Sequence, residues 1–246
     1  MANWNDPQPR AGFGASPSLG GRTGVRAGYD AGLRRHMLSI YNYMASGVLL
    51  SGLTALLFAY SGAAAAVMQT PLRWVIALAP LGFVFAISFG VNRMKTSTLQ
   101  ILFWTFAVAM GLSMSSLLFV YTGPSIATAF FAAAGAFAGL SLVGYTTKKD
   151  LSGFGTFLIM GLVGLLIAML INAFWPIPGF SIAIPVIGVL IFAGLTAYDT
   201  QRLKQEYQVV AGTEFAGKAV VLGALSLYLD FINMFQFLLS LMGQRD

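Results

Sequence analysis

Asp199 and Asp230 fall inside, or at the edge of, long apolar runs, and few other acids are present in the 246-residue chain. An ionised carboxylate at the centre of a membrane helix costs about 2.5–3.5 kcal/mol on insertion scales. An acid kept there therefore needs a partner or a purpose. Asp230 sits twelve residues past Lys218, a helical rise of about 18 Å. Around it Gly223, Ser226, Asp230, Asn233, Phe237 and Ser240 recur at steps of three and four, which places them on one helix face. That face is small and polar among Leu, Phe, Tyr, Ile and Met, so it should turn toward protein or a cavity rather than lipid. Asp199 closes an apolar run in the stretch Ala-Tyr-Asp-Thr-Gln-Arg-Leu-Lys, with Thr196 three residues before it and Arg202 three after. A local helix pair with Arg202 is the plain alternative to a functional role for Asp199. Helix–helix hydrogen bonding is the plain alternative for Asp230. Length counting puts Asp230 deeper than Asp199. The two meet only if the last helix begins outside the bilayer or the helices tilt.

Two carboxylates held close together in a low dielectric cannot both ionise cheaply, so such a pair shares a proton. The shared proton locks the helices together. Its loss leaves two like charges, which push apart or recruit a cation. Calcium takes 6–8 oxygen ligands. Two acids with Ser226 and Asn233 are too few for a tight site and enough for a transient one.

Such acids need helices that cross a membrane, and the composition supplies them. The chain is 57% hydrophobic and 9% charged, where a soluble domain carries about 25% charged residues. Seven apolar runs are long enough to span: roughly 36–60, 74–91, 99–121, 124–145, 154–174, 180–198 and 219–242. They are apolar on every face, unlike the alternating strands of a barrel, so the fold class is an all-α membrane bundle. Twelve of the fourteen Lys and Arg residues fall on one side of these spans, in the N-terminal segment and the second, fourth and sixth loops. The positive-inside rule then puts the N-terminus in the cytoplasm and the C-terminus outside. The net charge of +6 faces anionic lipid in this arrangement, with no nucleic-acid partner implied. Residues 1–36 are rich in Gly, Pro, Ser, Ala and Arg and lack an apolar run, which reads as a disordered cytoplasmic tail ahead of a 37–246 helical domain. Gly135 and Gly139 form a GxxxG, and Gly161 and Gly164 lie one turn apart, spacings that allow close helix packing.

Enzymatic readings find little support. Cysteine is absent and His36 is the one histidine, at the edge of the first span and badly placed to serve a nucleophile deep in the bundle. Lys218 stands at the start of the last helix, not within it as a retinal linkage requires. No nucleophile–base pair and no cofactor is expected.

Two segments carry a family resemblance. Tyr198-Asp199-Thr200-Gln201 after an apolar run, and Leu227-Tyr228-Leu229-Asp230-Phe231-Ile232-Asn233 in the last helix, resemble the hallmark motifs of the Bax inhibitor-1 family. Lys148-Lys149-Asp150-Leu151 resembles its central loop. The resemblance covers roughly residues 37–246 and points to a bacterial member. It implies six helices wrapped around a central last helix, and a paired-aspartate sensor at Asp199 and Asp230. By position relative to the third span it also implies an arginine latch at Arg93, for which the alternative is a loop arginine reaching to the headgroups. It further implies a slow, pH-dependent cation (calcium) leak in the inner (plasma) membrane, with Asp199 and Asp230 as sensor, gate and transient calcium ligands and the C-terminus periplasmic. The calcium-leak member of the family carries an acid inside its second helix. Here that region reads Leu81-Gly82-Phe83-Val84, so a cation path would have fewer fixed charges. Some bacterial relatives are thought to bind and restrain a membrane-anchored ATP-dependent protease, a role in which residues 1–36 would be the handle.

Overall fold

The computed structural model describes residues 19–244. Among these residues the chain is helical throughout: α1 (Leu19–Tyr60), a short α2 (Ala63–Met68), α3 (Leu72–Gly90), α4 (Thr96–Met114) continued by a 3₁₀ turn (Ser115–Phe119), α5 (Gly123–Thr146), α6 (Ser152–Phe174), α7 (Phe180–Val210) and α8 (Ala216–Met242). Seven of these segments are long and apolar enough to cross a membrane. The reading of the N-terminal tail falls, for residues 1–18, outside the described residues. From Leu19 the chain is helical, and the packed body begins before residue 37, because Leu33 and His36 are buried.

The last helix is the axis of the bundle. Of the α8 span 61% is buried, against 44% for α7 and no more than 28% for any other. It packs on α1, α4, α5 and α7. The exposed side chains of the outer helices are large and apolar, among them Leu57, Phe89, Ile101, Phe131, Met160 and Ile182. A surface of this kind is stable only against hydrocarbon.

The sixth span runs twelve residues further than its apolar stretch suggested, to Val210. The last three turns of α7 carry Arg202, Lys204, Gln205 and Glu206, so the helix leaves the apolar region while staying helical. The chain then turns at Gly212, whose φ of +77° is a left-handed backbone that glycine adopts without steric penalty, and α8 begins at Ala216. Asp199 lies eleven residues before the end of α7 and Ser226 ten residues after the start of α8. At about 1.5 Å per residue both stand roughly 15 Å from the hairpin tip. The last helix begins three residues before its apolar stretch, which brings Ser226 level with Asp199 and leaves Asp230 one turn, about 6 Å, deeper.

Close approach occurs elsewhere than the GxxxG spacing suggested. A Cβ added at Gly135 or Gly139 would meet nothing within 4 Å, and both glycines are exposed on α5. The small residue that matters on this helix is Gly144, where a Cβ would collide with the backbone carbonyl of Ala197. Gly144 brings α5 against α7 two residues from Asp199. A four-residue spacing marks a face that can pack closely, but the partner is set by the turn of the whole helix.

Candidate functional site

Asp199 is 6% exposed and held from both α7 and α8. Its Oδ1 lies 3.3 Å from Arg202 Nη2, one turn along the same helix. Its Oδ2 accepts a short hydrogen bond from the Ser226 hydroxyl on α8. Arg202 Nη2 in turn donates to Ser226 Oγ at 3.1 Å. The three side chains form a closed ring that ties α7 to α8. The Arg202 guanidinium also lies 5.8 Å from the centroid of the Tyr198 ring. The plain pairing of Asp199 with Arg202 is thus present, and Ser226 extends it into an interhelical contact.

Asp230 follows Ser226 by four residues, one turn deeper along α8. It is 5% exposed, and its Oδ2 is buried with no hydrogen-bond partner. A carboxylate in this position is costly when ionised and tolerable when neutral. Asp199 and Asp230 line the same cavity of about 600 Å³, together with Arg202, Ser226, Asn233 and Gln236. The polar stripe of the last helix therefore faces a cavity, as its spacing required. Asn233 donates from Nδ2 to Leu229 O at 2.8 Å. Ser240 and Phe237 line a second cavity further along α8, which shares Ser113 and Gln236 with the first. Asp199 has both oxygens engaged by Arg202 and Ser226, and Asp230 shares its cavity.

Arg93 does not join the cluster. Helix α3 stops at Gly90, and Arg93 is exposed on the loop beyond it, away from the cavity lining. The arginine that holds Asp199 is Arg202. Among the described residues no three His, Asp or Glu side chains gather at a metal-binding spacing.

The remaining motif residues fix the frame around the acids. Gln201 accepts from the Leu151 amide at 2.8 Å and donates to Lys149 O at 2.8 Å, which clasps the loop between α5 and α6 onto α7. Lys204 Nζ donates to Tyr145 O at 2.8 Å, and Thr200 donates to Ser141 Oγ at 3.3 Å. In the second motif Tyr228 is fully buried. Its hydroxyl lies 2.6 Å from Ser51 Oγ, which donates to Ala107 O at 2.7 Å. That chain bolts α8 to α1 and α4. These positioning roles were not read from the sequence, because the partners lie up to 177 residues away and carry no local pattern.

The chain matches known proteins along most of its length. The family described as inhibitor of apoptosis-promoting Bax1 matches residues 33–246. A protein of Caulobacter vibrioides is 48% identical over 227 residues, covering 87% of this chain and 90% of its own length. The protein RP147 of Rickettsia prowazekii is 42% identical over 218 residues, covering 88% and 92%. The inner membrane protein YbhL of Escherichia coli is 41% identical over 219 residues, covering 87% and 94%. With seven membrane-spanning helices, a central last helix and the two aspartate motifs on its final hairpin, this chain belongs to the Bax inhibitor-1 family.

Proposed function

We propose that the protein is a pH-sensitive cation leak of the bacterial inner membrane, with calcium as cargo, the N-terminus cytoplasmic and the C-terminus periplasmic. The observation that carries this reading is the unpartnered, buried Asp230 carboxyl on the same cavity as the Asp199–Arg202–Ser226 ring. With Asp230 protonated, the cavity holds one paired charge of each sign and no net charge. The ring then keeps α7 and α8 closed. Deprotonation of Asp230 adds an uncompensated negative charge, which attracts a cation and competes for Arg202. Arg202 loosens from Asp199 and Ser226, and the cavity opens toward the cytoplasmic side. Flux therefore rises with pH.

The oxygens of Asp230, Asn233, Gln236 and Ser226 fall short of the 6–8 that hold calcium firmly, which suits an ion in passage. The E. coli relative's description as an inner membrane protein supports the location. The one-sided distribution of Lys and Arg supports the orientation.

The test is calcium flux into proteoliposomes across a range of pH for the full-length protein, Asp230→Asn and Asp199→Asn. The expected result is a flux that climbs with pH in the parent, with the climb flattened in both variants. Unchanged pH dependence in both removes the gating role, and no flux above protein-free vesicles removes the leak itself.

A further inference from the structure

The cavity that holds Asp230 has two unlike walls. One is polar and belongs to α7 and α8. The other is apolar, formed by α3, α4 and α6, with Leu81, Phe106, Ile159, Leu162 and Leu166 among its residues. Helix α3 packs on α4 and α6 packs on α7, while the cavity lies between α3 and α6. The residues flanking this gap, Leu81, Ile159 and Leu166, are 52%, 47% and 56% exposed. All three lie in the middle of their helices, well away from either end. The cavity therefore opens sideways into the hydrocarbon region at the level of the acids. An aqueous ion has no use for such an entrance, but a solute dissolved in the bilayer does.

We infer that this cavity is a binding site for a lipophilic cation, such as an amphiphilic amine, which enters from the bilayer between α3 and α6 and places its charge on Asp230. Three observations fix the chemistry. Asp199 is already matched by Arg202, so Asp230 is the acid without a counter-charge. The apolar wall and the Phe106 and Phe192 rings suit a diffuse cation carried in a hydrocarbon frame. The volume of about 600 Å³ lies within the range of about 300–1,000 Å³ typical of small-molecule sites. An anion would meet Asp230 with like charge, and Arg202 is held by Asp199 and Ser226. The ionisable residues lining the cavity are Asp199, Arg202 and Asp230, and α3, α4 and α6 contribute none. Protons and the ligand therefore compete at Asp230.

Tetraphenylphosphonium and tetraphenylborate test this, because they match in size and shape and differ in charge. Equilibrium binding to the full-length protein in lipid nanodiscs should be saturable for the phosphonium alone and should weaken as pH falls. Asp230→Asn should lower its affinity by about tenfold or more, the scale of a lost charge-assisted contact, while Asp150→Asn, outside the cavity, should leave it unchanged. Leu166→Trp, which narrows the side entrance, should slow association. Equal uptake of both ions, matching that of empty nanodiscs, would show lipid partitioning only and overturn the inference. So would undiminished phosphonium binding by a folded Asp230→Asn, and affinity independent of pH would do the same should that variant not fold. Binding is scored here without flux, so a protein that binds the phosphonium and conducts no calcium refutes the leak alone.

Discussion

Replacing Arg202 by Gln removes the counter-charge of a buried acid and leaves the Ser226 contact in place. The magnitude follows from burial. The Arg202 side chain is 45% exposed and that of Asp199 is 9% exposed. Breaking a fully buried pair costs about 3–5 kcal/mol, and an exposed one contributes about 0.2–1 kcal/mol. A pair with one exposed partner lies between them, at about 1–3 kcal/mol. A double-mutant cycle isolates that interaction. Asp199→Asn keeps an oxygen for Ser226 and removes the charge, so Asp199→Asn, Arg202→Gln and the double variant differ chiefly in the ion pair. Unfolding in mixed micelles, followed by tryptophan fluorescence, should give a coupling of about 1–2 kcal/mol, with the double variant more stable than the sum of the singles implies. Additivity within about 0.3–0.5 kcal/mol, the value for independent sites, would refute the Asp199–Arg202 pair as a stabilising member of the ring.

Other consequences can be checked on the same preparations. Ser51→Ala leaves the buried Tyr228 hydroxyl without its 2.6 Å partner and should destabilise by about 1–3 kcal/mol, while Tyr228→Phe should cost about 1 kcal/mol; thermal unfolding in micelles ranks them. Gly144→Leu should drive α5 off α7 at Ala197 and abolish monodisperse protein on size exclusion, while Gly135→Leu, facing open space, should behave as the parent. Asp150, in the exposed loop before α6, accepts the Ser152 hydroxyl and amide at 2.6 and 2.9 Å, and these bonds hold its carboxyl below the usual range. A lowered folded value means the contact is fully present above the ordinary carboxylate range and is lost as pH falls through the folded value. Amide exchange at Ser152 should accordingly quicken, relative to its intrinsic rate, only in strong acid, and Asp150→Asn should abolish that step.

What the sequence revealed, and what it withheld, divides along physical lines. The spans were legible because hydrocarbon demands about 20 apolar residues wherever a helix crosses, and that demand is local. The polar stripe of α8 was legible for the same reason, since Ser226, Asp230 and Asn233 declare a shared face by spacing alone. The extension of α7 to Val210 was not, because Arg202 to Glu206 end the apolar run without ending the helix. The Arg93 latch rested on position relative to a span, and the structure places that arginine on the exposed loop past α3, outside the cavity lining. Arg202 was in view as a neighbour of Asp199, but its second bond depends on Ser226, 24 residues away on another helix. Gln201 and Tyr228 were visible as motif letters, while their work as clasp and bolt depends on partners that only the fold brings near.

The central claim is that the carboxyl of Asp230, unpaired in its cavity, is the group that gains and loses the proton. Difference infrared spectroscopy of the protein in lipid, recorded across pH, reports the carbonyl band of a protonated carboxylic acid directly. The account predicts a band that fades as pH rises, is missing from Asp230→Asn and persists in Asp199→Asn. A band that survives in Asp230→Asn, or vanishes only in Asp199→Asn, would contradict it.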